Sequence, residues 1–395
     1  MTVDSIIYGI VNIDMKEKII VAVSGGVDSA VVAVKMKKEG YNVVAVMLKL
    51  YSGNSCSNRQ CCGNDDIIDV QKLCGKFDIP YYVINQEDLF YKEVMVKFAD
   101  SYISGETPVP CMHCNQKVKI NTIISLAKKI GAKYIATGHY IRNVFEDGMN
   151  KVYRGIDLAK DQSYFLSTLK QDELNMLQFP LGNFTKSEVR EMAKNFEIEI
   201  AQKKDSQDIC FVGKQKYVEV IKKIKGNVEI EKNGEILDHK SNKILGHHNG
   251  AIGYTIGQRK GLGVSQKDPL YVTKIDVEKN IVYVSSDEDD LFSSKFNGFD
   301  VNFFDNIDFF LENDYIVINA DVCLRALQSL IPCKIKLFLV DKVNKVDNLT
   351  TKGCFNNILE KKISISLDNP GRAITIGQYC VFYQKDRLIG SAKIG

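Results

Sequence analysis

Residues 21–34 read VAVSGGVDSAVVAV, and the fold turns on the middle of that run. Ile19-Ile20-Val21-Ala22-Val23 has strand character, and Ser24-Gly25-Gly26-Val27-Asp28-Ser29 follows it directly. An apolar stretch then continues to Met36 and closes in Lys37, Lys38, Glu39 and Gly40. These residues predict a strand, a glycine turn and a helix, in that order. Glycines let a backbone bend sharply and approach a ligand closely. A helix beginning near Val27 aims unpaired N–H groups and its positive dipole end at whatever sits above the turn. The hydroxyls of Ser24 and Ser29 add donors, so the turn suits a phosphate. It is neither G-x-G-x-x-G nor a P-loop, because no lysine follows the glycines where a P-loop needs one. The plain alternative is a structural turn with helix-capping serines, but the place of S-G-G-x-D-S after the first core strand favours the anion site.

Outward from that turn, strand-like runs at 18–23, 43–48, 81–84 and 134–137 alternate with helical ones at 27–39, 65–77, 87–103 and 115–130. Such alternation predicts an α/β domain with a doubly wound parallel sheet that binds ligands at the carboxyl ends of its strands. The loop after the fourth strand, Gly138-His139-Tyr140, is expected on the same rim. From about 160 to 210 the chain reads as helical and charged and ends in AQKKDSQDICF. Glycine-punctuated short strands follow, and the last hundred residues have the texture of a small antiparallel β-barrel. The expected organisation is a catalytic domain over 1–213, a small mixed central domain over 214–290 and a barrel over 291–395.

The chain has 395 residues, 45% hydrophobic and 26% charged, an ordinary globular composition that is long enough for two or three domains. A formal net charge of +3 gives no global field for nucleic acid, so any basic surface must be local. No apolar run approaches the about 18 residues of a membrane span, and the first residues lack the layout of a secretion signal. Eleven cysteines in so long a chain fit working thiols in the cytoplasm better than disulfide staples.

Cys111-Met112-His113-Cys114 and Cys210 are the candidate reactive thiols, and Cys56, Cys61 and Cys62 form a third group. C-x-x-C also has the spacing of half a zinc or iron–sulfur site, though the chain has no second C-x-x-C. Cys114 is expected at a helix start with Lys117 and Lys119 nearby, both features that favour a thiolate. Cys74, Cys323, Cys333, Cys354 and Cys380 read as inert core residues. His139 lies at a strand end on the nucleotide rim. On charge pattern alone, Lys160-Asp161-Gln162 is a solvated helix start.

SGGVDS resembles the pyrophosphate-binding loop of the N-type ATP pyrophosphatases. With TPVPCMHCN, ATGHY, KDQSYFL, KKDSQDICF and HHNGAIGYTIGQRKGLG, nearly the whole chain resembles the tRNA-specific 2-thiouridylases, the MnmA family of sulfurtransferases. The resemblance implies that Ala22, Val23, Ser24, Gly25, Gly26, Val27, Asp28 and Ser29 hold the ATP phosphates. Leu48 and Gly138 would flank the nucleotide. Cys114 matches the family's nucleophile and Cys210 its persulfide carrier, a pair that can close into a disulfide. Val109, Pro110 and Cys111 fall where the target base is held, while His139, Lys160, Asp161, Gln162, Arg325 and Gln378 match tRNA-contacting positions. The implied reaction is adenylation of the wobble uridine of tRNA followed by replacement of its 2-oxygen with sulfur. ATP, Mg2+ and a cysteine desulfurase or sulfur-relay protein are the implied cofactors and partners.

Two departures from the family pattern stand out. Cys111 occupies a position where some members carry aspartate, and a thiol cannot serve as the same acid–base group. Arg325-Ala326-Leu327 stands where the family has Arg-Tyr-Arg, so only Arg325 transfers. Three other readings compete: a tRNA lysidine synthetase, a thiolase with an iron–sulfur cluster on Cys111, Cys114 and Cys210, and a non-catalytic RNA-binding protein.

Overall fold

A computed structural model describes residues 16–51, 64–203, 208–213, 215–226, 232–304, 309–312, 315–339 and 359–395. Cys56, Cys61, Cys62, Cys354 and the segment 204–207 of the KKDSQDICF run lie outside the described residues.

The opening run forms β1 (Lys16–Val23), the glycine turn and α1 (Val27–Lys38), followed by β2 (Tyr41–Lys49), α2 (Asn64–Lys76) and β3 (Tyr81–Asn85). After two further helical stretches come β4 (Tyr134–Ala136), β5 (Ile141–Glu146), β6 (Met149–Arg154) and β7 (Leu177–Gln178). Five of these strands make one parallel sheet in the order β3-β2-β1-β4-β7. Ile19, Ile20 and Val21 are all fully buried, which is why β1 is continuously apolar rather than alternating: helices cover both faces of the sheet.

Three departures from the sequence reading have local causes. The fourth helical stretch begins at Pro110, not at 115, because proline has no N–H to leave unpaired and its fixed φ suits the first helical position. Cys114 therefore lies one turn inside the helical segment. Residues 160–210 hold one helix of ten residues, Lys186–Asn195, among short turns. A hairpin, β5–β6, was also legible: its Asp147-Gly148 turn has φ of +52° and +80°, the mirror-image geometry for which an Asp-Gly pair is suited.

Downstream, β8 (Gly234–Asp238), β9 (Ile244–His248), β10 (Tyr271–Asp276) and β11 (Ile281–Ser285) form a separate sheet ordered β10-β11-β8-β9. The barrel follows with β12 (Phe292–Phe303), β13 (Phe310–Glu312), β14 (Tyr315–Cys323), β15 (Ile331–Leu339), β16 (Leu359–Arg372), β17 (Tyr379–Gln384) and β18 (Arg387–Ile394). The sequence β12-β16-β15-β14-β17-β18 is antiparallel throughout, and β12 pairs again with β18 to close it. Hairpin β5–β6 then adds to the outside of β18 through Arg387↔Tyr153 and Leu388↔Val152, tying the first domain to the barrel. Among the described residues no helix is long and apolar enough to cross a membrane.

The SYFLSTL run is the seam between these parts. Ser163 and Ser167 are fully buried, and such polar groups need partners. Ser163 Oγ donates to Asp161 Oδ2 at 2.7 Å and lies 2.8 Å from the Tyr383 hydroxyl of β17. Tyr164 donates to the Tyr379 carbonyl, and the Ser167 carbonyl accepts from Ser391 and Asn302 of the barrel. Tyr383→Phe removes one donor and is expected to lower stability by about 1 kcal/mol. Ser163→Ala also strips Asp161 and strands the Tyr383 hydroxyl, so its loss should reach about 2–3 kcal/mol. Chemical denaturation of the two variants checks that order, and equal losses would refute the seam as described.

Candidate active site

The chain leaves β1 toward β2 on one side and returns as β4 on the other, so the sheet's topological switch lies between β1 and β4. Ligands of open α/β sheets bind in the crevice that such a switch opens at the carboxyl edge. The Ser24–Gly26 turn and the Thr137–His139 loop line that edge, as the sequence reading expected. Gly25 takes φ +72°, and a β-carbon there would lie 2.7 Å from Asp66 Cβ. At Gly138 a β-carbon would meet the Ser29 nitrogen at 2.9 Å, so only glycine lets this loop close on the start of α1. Gly26 caps that helix with no side chain, and Ser29 Oγ accepts from the Ser24 N–H at 3.1 Å while donating to the Gly26 carbonyl. Ser24 is exposed above this frame, Asp28 half-buried, and Val23, Val27 and Leu48 are packed beneath the rim with Ala22 beside them.

The lysine absent from the glycine run arrives from elsewhere. Lys186, only 8% exposed, grips both Asp28 carboxylate oxygens at 2.8 and 2.7 Å, and Tyr140 donates to the same carboxylate at 2.8 Å. Lys203 donates to the Gly25 carbonyl at 2.9 Å and to Asp66 and Asp69 of α2 at 2.6 and 2.8 Å. Burial works against the Lys203 ammonium, yet its bonds to the two aspartates prevail and hold its pKa above the ordinary lysine value. Sequence reading missed both lysines. The available signal was Thr185-Lys186-Ser187-Glu188, a capping box that fixes Lys186 in the first turn of its helix.

Cys111 is exposed on the first turn after Pro110, whereas Cys114 is buried in the main core cluster. Cys210 is half-buried against the same cluster, its turn anchored by Phe211, which packs edge-on against Phe90 and Phe98 at 5.7 and 5.1 Å. Asn115 and Gln116 donate to the carbonyls of Phe165 and Thr168, locking the thiol-bearing segment onto the seam. The preceding loop, with half-buried Val109 and buried Pro110, is clamped from both other domains. Gln378 donates to the Thr107 carbonyl at 3.1 Å, the Thr107 N–H donates to Ile376, and Lys393 pairs with Glu106 at 2.7 Å. At Gly105, φ +82°, a β-carbon would meet Val277 of the central domain at 2.7 Å. Cys74, Cys323, Cys333 and Cys380 are buried as expected; burial pushes Cys74 up to about 11 and Cys333 to about 12.

Among the positions matched to RNA contact, Lys160 is half-exposed, while Asp161 is buried and its carboxylate is filled by Arg154, the Gly155 and Ser163 N–H groups and the Ser163 hydroxyl. That carboxylate is spent inside the protein, where it clamps the seam, so a contact with RNA at this position would fall to the backbone. Gln162 accepts from the Tyr140 N–H at 3.0 Å, Gln378 holds the Thr107 loop, and Arg325 is half-buried with its guanidinium on the Ala373 carbonyl at 2.8 Å. His139 Nδ1 lies 2.8 Å from the Thr137 hydroxyl. Burial, and then the charge of Lys119, push its pKa down to about 3.

A parallel sheet with a phosphate-suited turn at its switch point, followed by a mixed sheet and a closed barrel, defines a three-part nucleotide-dependent architecture with two thiols on one core. Models for a "tRNA methyl transferase HUP domain", a "tRNA methyl transferase PRC-barrel domain" and an "Aminomethyltransferase beta-barrel domain" match residues 17–214, 222–286 and 345–394. The tRNA-specific 2-thiouridylase MnmA of Rickettsia canadensis (strain McKiel) is 40% identical over 383 residues, 96% of each chain. Its counterpart from Orientia tsutsugamushi (strain Boryong) is 39% identical over 378 residues, 95% of each. The chain belongs to the tRNA-specific 2-thiouridylase MnmA family. An NMN synthetase structure from Francisella tularensis overlaps 54% of this chain and 79% of its own at TM-score 0.31 and 16% identity, too slight a likeness to add to that assignment.

His139 gives this rim a pH signature. Its imidazole ionises near 6.5 when unfolded and near 3 when folded, so between those values the unfolded chain binds the extra proton. Stability is whole above about 6.5 and falls as the pH drops toward 3. Unfolding midpoints measured across that window should fall less steeply for His139→Gln; parallel curves would refute a neutral imidazole on this rim.

Proposed function

We propose that the chain is an ATP-dependent tRNA-uridine 2-sulfurtransferase acting in the cytoplasm, with the wobble uridine of tRNA as its target. Cys114 and Cys210 carry this reading: they are far apart in sequence, yet one lies in and the other against a core cluster that also takes in Leu48 and Ala22 of the rim. The uridine 2-oxygen is a poor leaving group. Its attack on the α-phosphorus of ATP releases pyrophosphate and leaves an O-adenylate, from which AMP can depart. The amides of the glycine turn, the Ser24 hydroxyl and the lysines at 186 and 203 would stabilise the charge that grows on the pyrophosphate. Lys186 supplies from a distant helix the cation that a P-loop carries within its own motif.

Sulfur enters as a persulfide on Cys210, loaded by a cysteine desulfurase or a relay protein. Two routes balance. The terminal sulfur attacks C2 and expels AMP, after which the Cys114 thiolate attacks the Cys210 sulfur and frees the thiouridine. Alternatively, Cys114 attacks the persulfide first and releases hydrosulfide as the nucleophile. Both end in a Cys114–Cys210 disulfide that a reductant must reopen, and both need one thiol to carry sulfur and another to release it. The target base must leave its stack to reach Val109, Pro110 and Cys111.

Mg2+ binds through substrate phosphates and one or two carboxylates, and Asp28, the carboxylate of the turn, would have to release Lys186 and Tyr140 to serve as a ligand. When bound, the ion would neutralise charge on the pyrophosphate. Methyl transfer, named in the description of the matching family model, has no step that needs one thiol to carry sulfur and a second to release it.

Persulfide mapping after exposure to a desulfurase, with mass spectrometry of the tRNA, tests the two roles. Cys210→Ser should carry no persulfide and make no 2-thiouridine. Cys114→Ser should still load sulfur on Cys210 and lose thiolation by at least a hundredfold, and Cys111→Ser should be milder than either. Persulfide found on Cys114 and never on Cys210 would overturn the assignment.

A further inference from the structure

GYTIGQRKGLG, residues 253–263, is used by neither the crevice nor the thiols. It opens a loop that returns to β10 at Tyr271, and the base of that loop is fixed. The Gly257 N–H donates to the Val272 carbonyl at 2.7 Å and the Val272 N–H to the Gln258 carbonyl at 3.0 Å. The Gln258 side chain closes on the Thr255 N–H and the Lys260 carbonyl. Leu262 and Leu270 are sunk into the core of the central domain. Gly257, Gly261 and Gly263 take φ of +84°, +77° and +71°, which side-chained residues adopt only under strain.

What this fixed loop presents to solvent is cationic. Arg259, Lys260 and Lys267 are exposed and make no ion pair among the described residues. Between Lys260 and Asp268 no backbone N–H donates to another described group. Arg259 and Lys267 line a cavity of about 520 Å³, with Asp268 as the acid on its wall. Positive side chains over a bend of unpaired amides make an anion-binding concavity. From Arg259 to Pro269 the loop holds no aromatic ring on which a base could stack, so the match is to phosphate rather than to bases.

The loop is also continuous with the barrel. A β-carbon on Gly257 would touch Ala373 at 3.0 Å, and the Ala373 carbonyl is the acceptor for Arg325. Between them Arg372 lies over the Tyr271 ring at 5.4 Å. Arg325, Arg372 and Arg259 therefore follow one another across the junction of the two domains in a strip in which Arg372 pairs with Glu288 at 3.7 Å and Arg325 is half-buried. With a net charge of only +3 for the chain, this strip supplies locally the attraction that a polyanion needs.

We propose that the loop 257–270 is a seat for the sugar–phosphate backbone of the RNA substrate, separate from the pocket that takes the reacting base. The proposal rests on the tRNA reading above. The test is the full-length Arg259→Ala/Lys260→Ala/Lys267→Ala variant with a full-length tRNA transcript, titrated at several NaCl concentrations. Affinity should fall at least tenfold, and the slope of log K against log salt should become shallower by about two to three. The KM for tRNA in AMP release should rise in step, with kcat and ATP binding unchanged. Because the three side chains are exposed, the unfolding midpoint should match that of the unsubstituted chain. A second variant, Lys128→Ala/Lys129→Ala/Lys194→Ala, removes three exposed lysines from other helices and should keep the original slope. Unchanged affinity and slope in the first variant would overturn the seat while leaving the tRNA reading intact. Equal losses in both variants would overturn it too, since the effect would then be one of general charge. If the unsubstituted chain neither binds tRNA nor releases AMP with it, the underlying reading falls, and the seat with it.

Discussion

The first turn of α1 rests on the backbone of Gly138 with no room for a β-carbon, and the rest of the site follows from that contact. It brings the loop after β4 onto the loop after β1 at the carboxyl edge of the parallel sheet. Asp28 is thereby placed where Tyr140 and Lys186 reach it, and His139 where burial strips its charge. A side chain at 138 would lever α1 away from the sheet, and the serines and amides at its start would lose their common focus. Strand order and one missing methyl group thus make a phosphate-suited rim from an ordinary strand–turn–helix.

A second constraint explains why the sheet has two other domains attached. The segment ahead of the thiols, 104–109, has little regular structure to hold its shape. The barrel grips it through Gln378, Ile376 and Lys393, and the central domain presses Val277 against Gly105. A reacting base and a nucleophile gain rate from being held within a fraction of an ångström. A short loop cannot supply that rigidity alone, so the two neighbouring domains supply it by packing.

The interdomain seam shows the same economy in its polar groups. Ser163, Ser167 and Asp161 are buried, and each is satisfied by the backbone or the barrel. Asp161 accepts from Arg154, whose guanidinium lies over the Tyr383 ring at 5.7 Å. Removing one member of such a network leaves another buried group without a partner, which destabilises more than the lost bond itself. KDQSYFL joins the half-exposed Lys160 to a structural lock, and from sequence the two halves look alike.

The sequence by itself determined the parallel α/β core, the anion-suited turn, the barrel texture and the identity of the thiols to watch. Each of these rests on local chemistry: β-branched runs, glycines that tolerate a sharp turn, helix-period apolar residues and a cysteine spacing. The start of the thiol helix at Pro110 and the Asp147-Gly148 hairpin were equally local and could have been read. Tertiary structure alone decided that Lys186 and Lys203 serve the glycine turn and that Asp161 faces inward while Lys160 does not. It also decided that Cys114 and Cys210 share a core and that Gln378 holds the Thr107 loop. These depend on which elements pack together across a hundred or more residues. Packing is set by the summed shape of whole faces, and no spacing within a single segment records it.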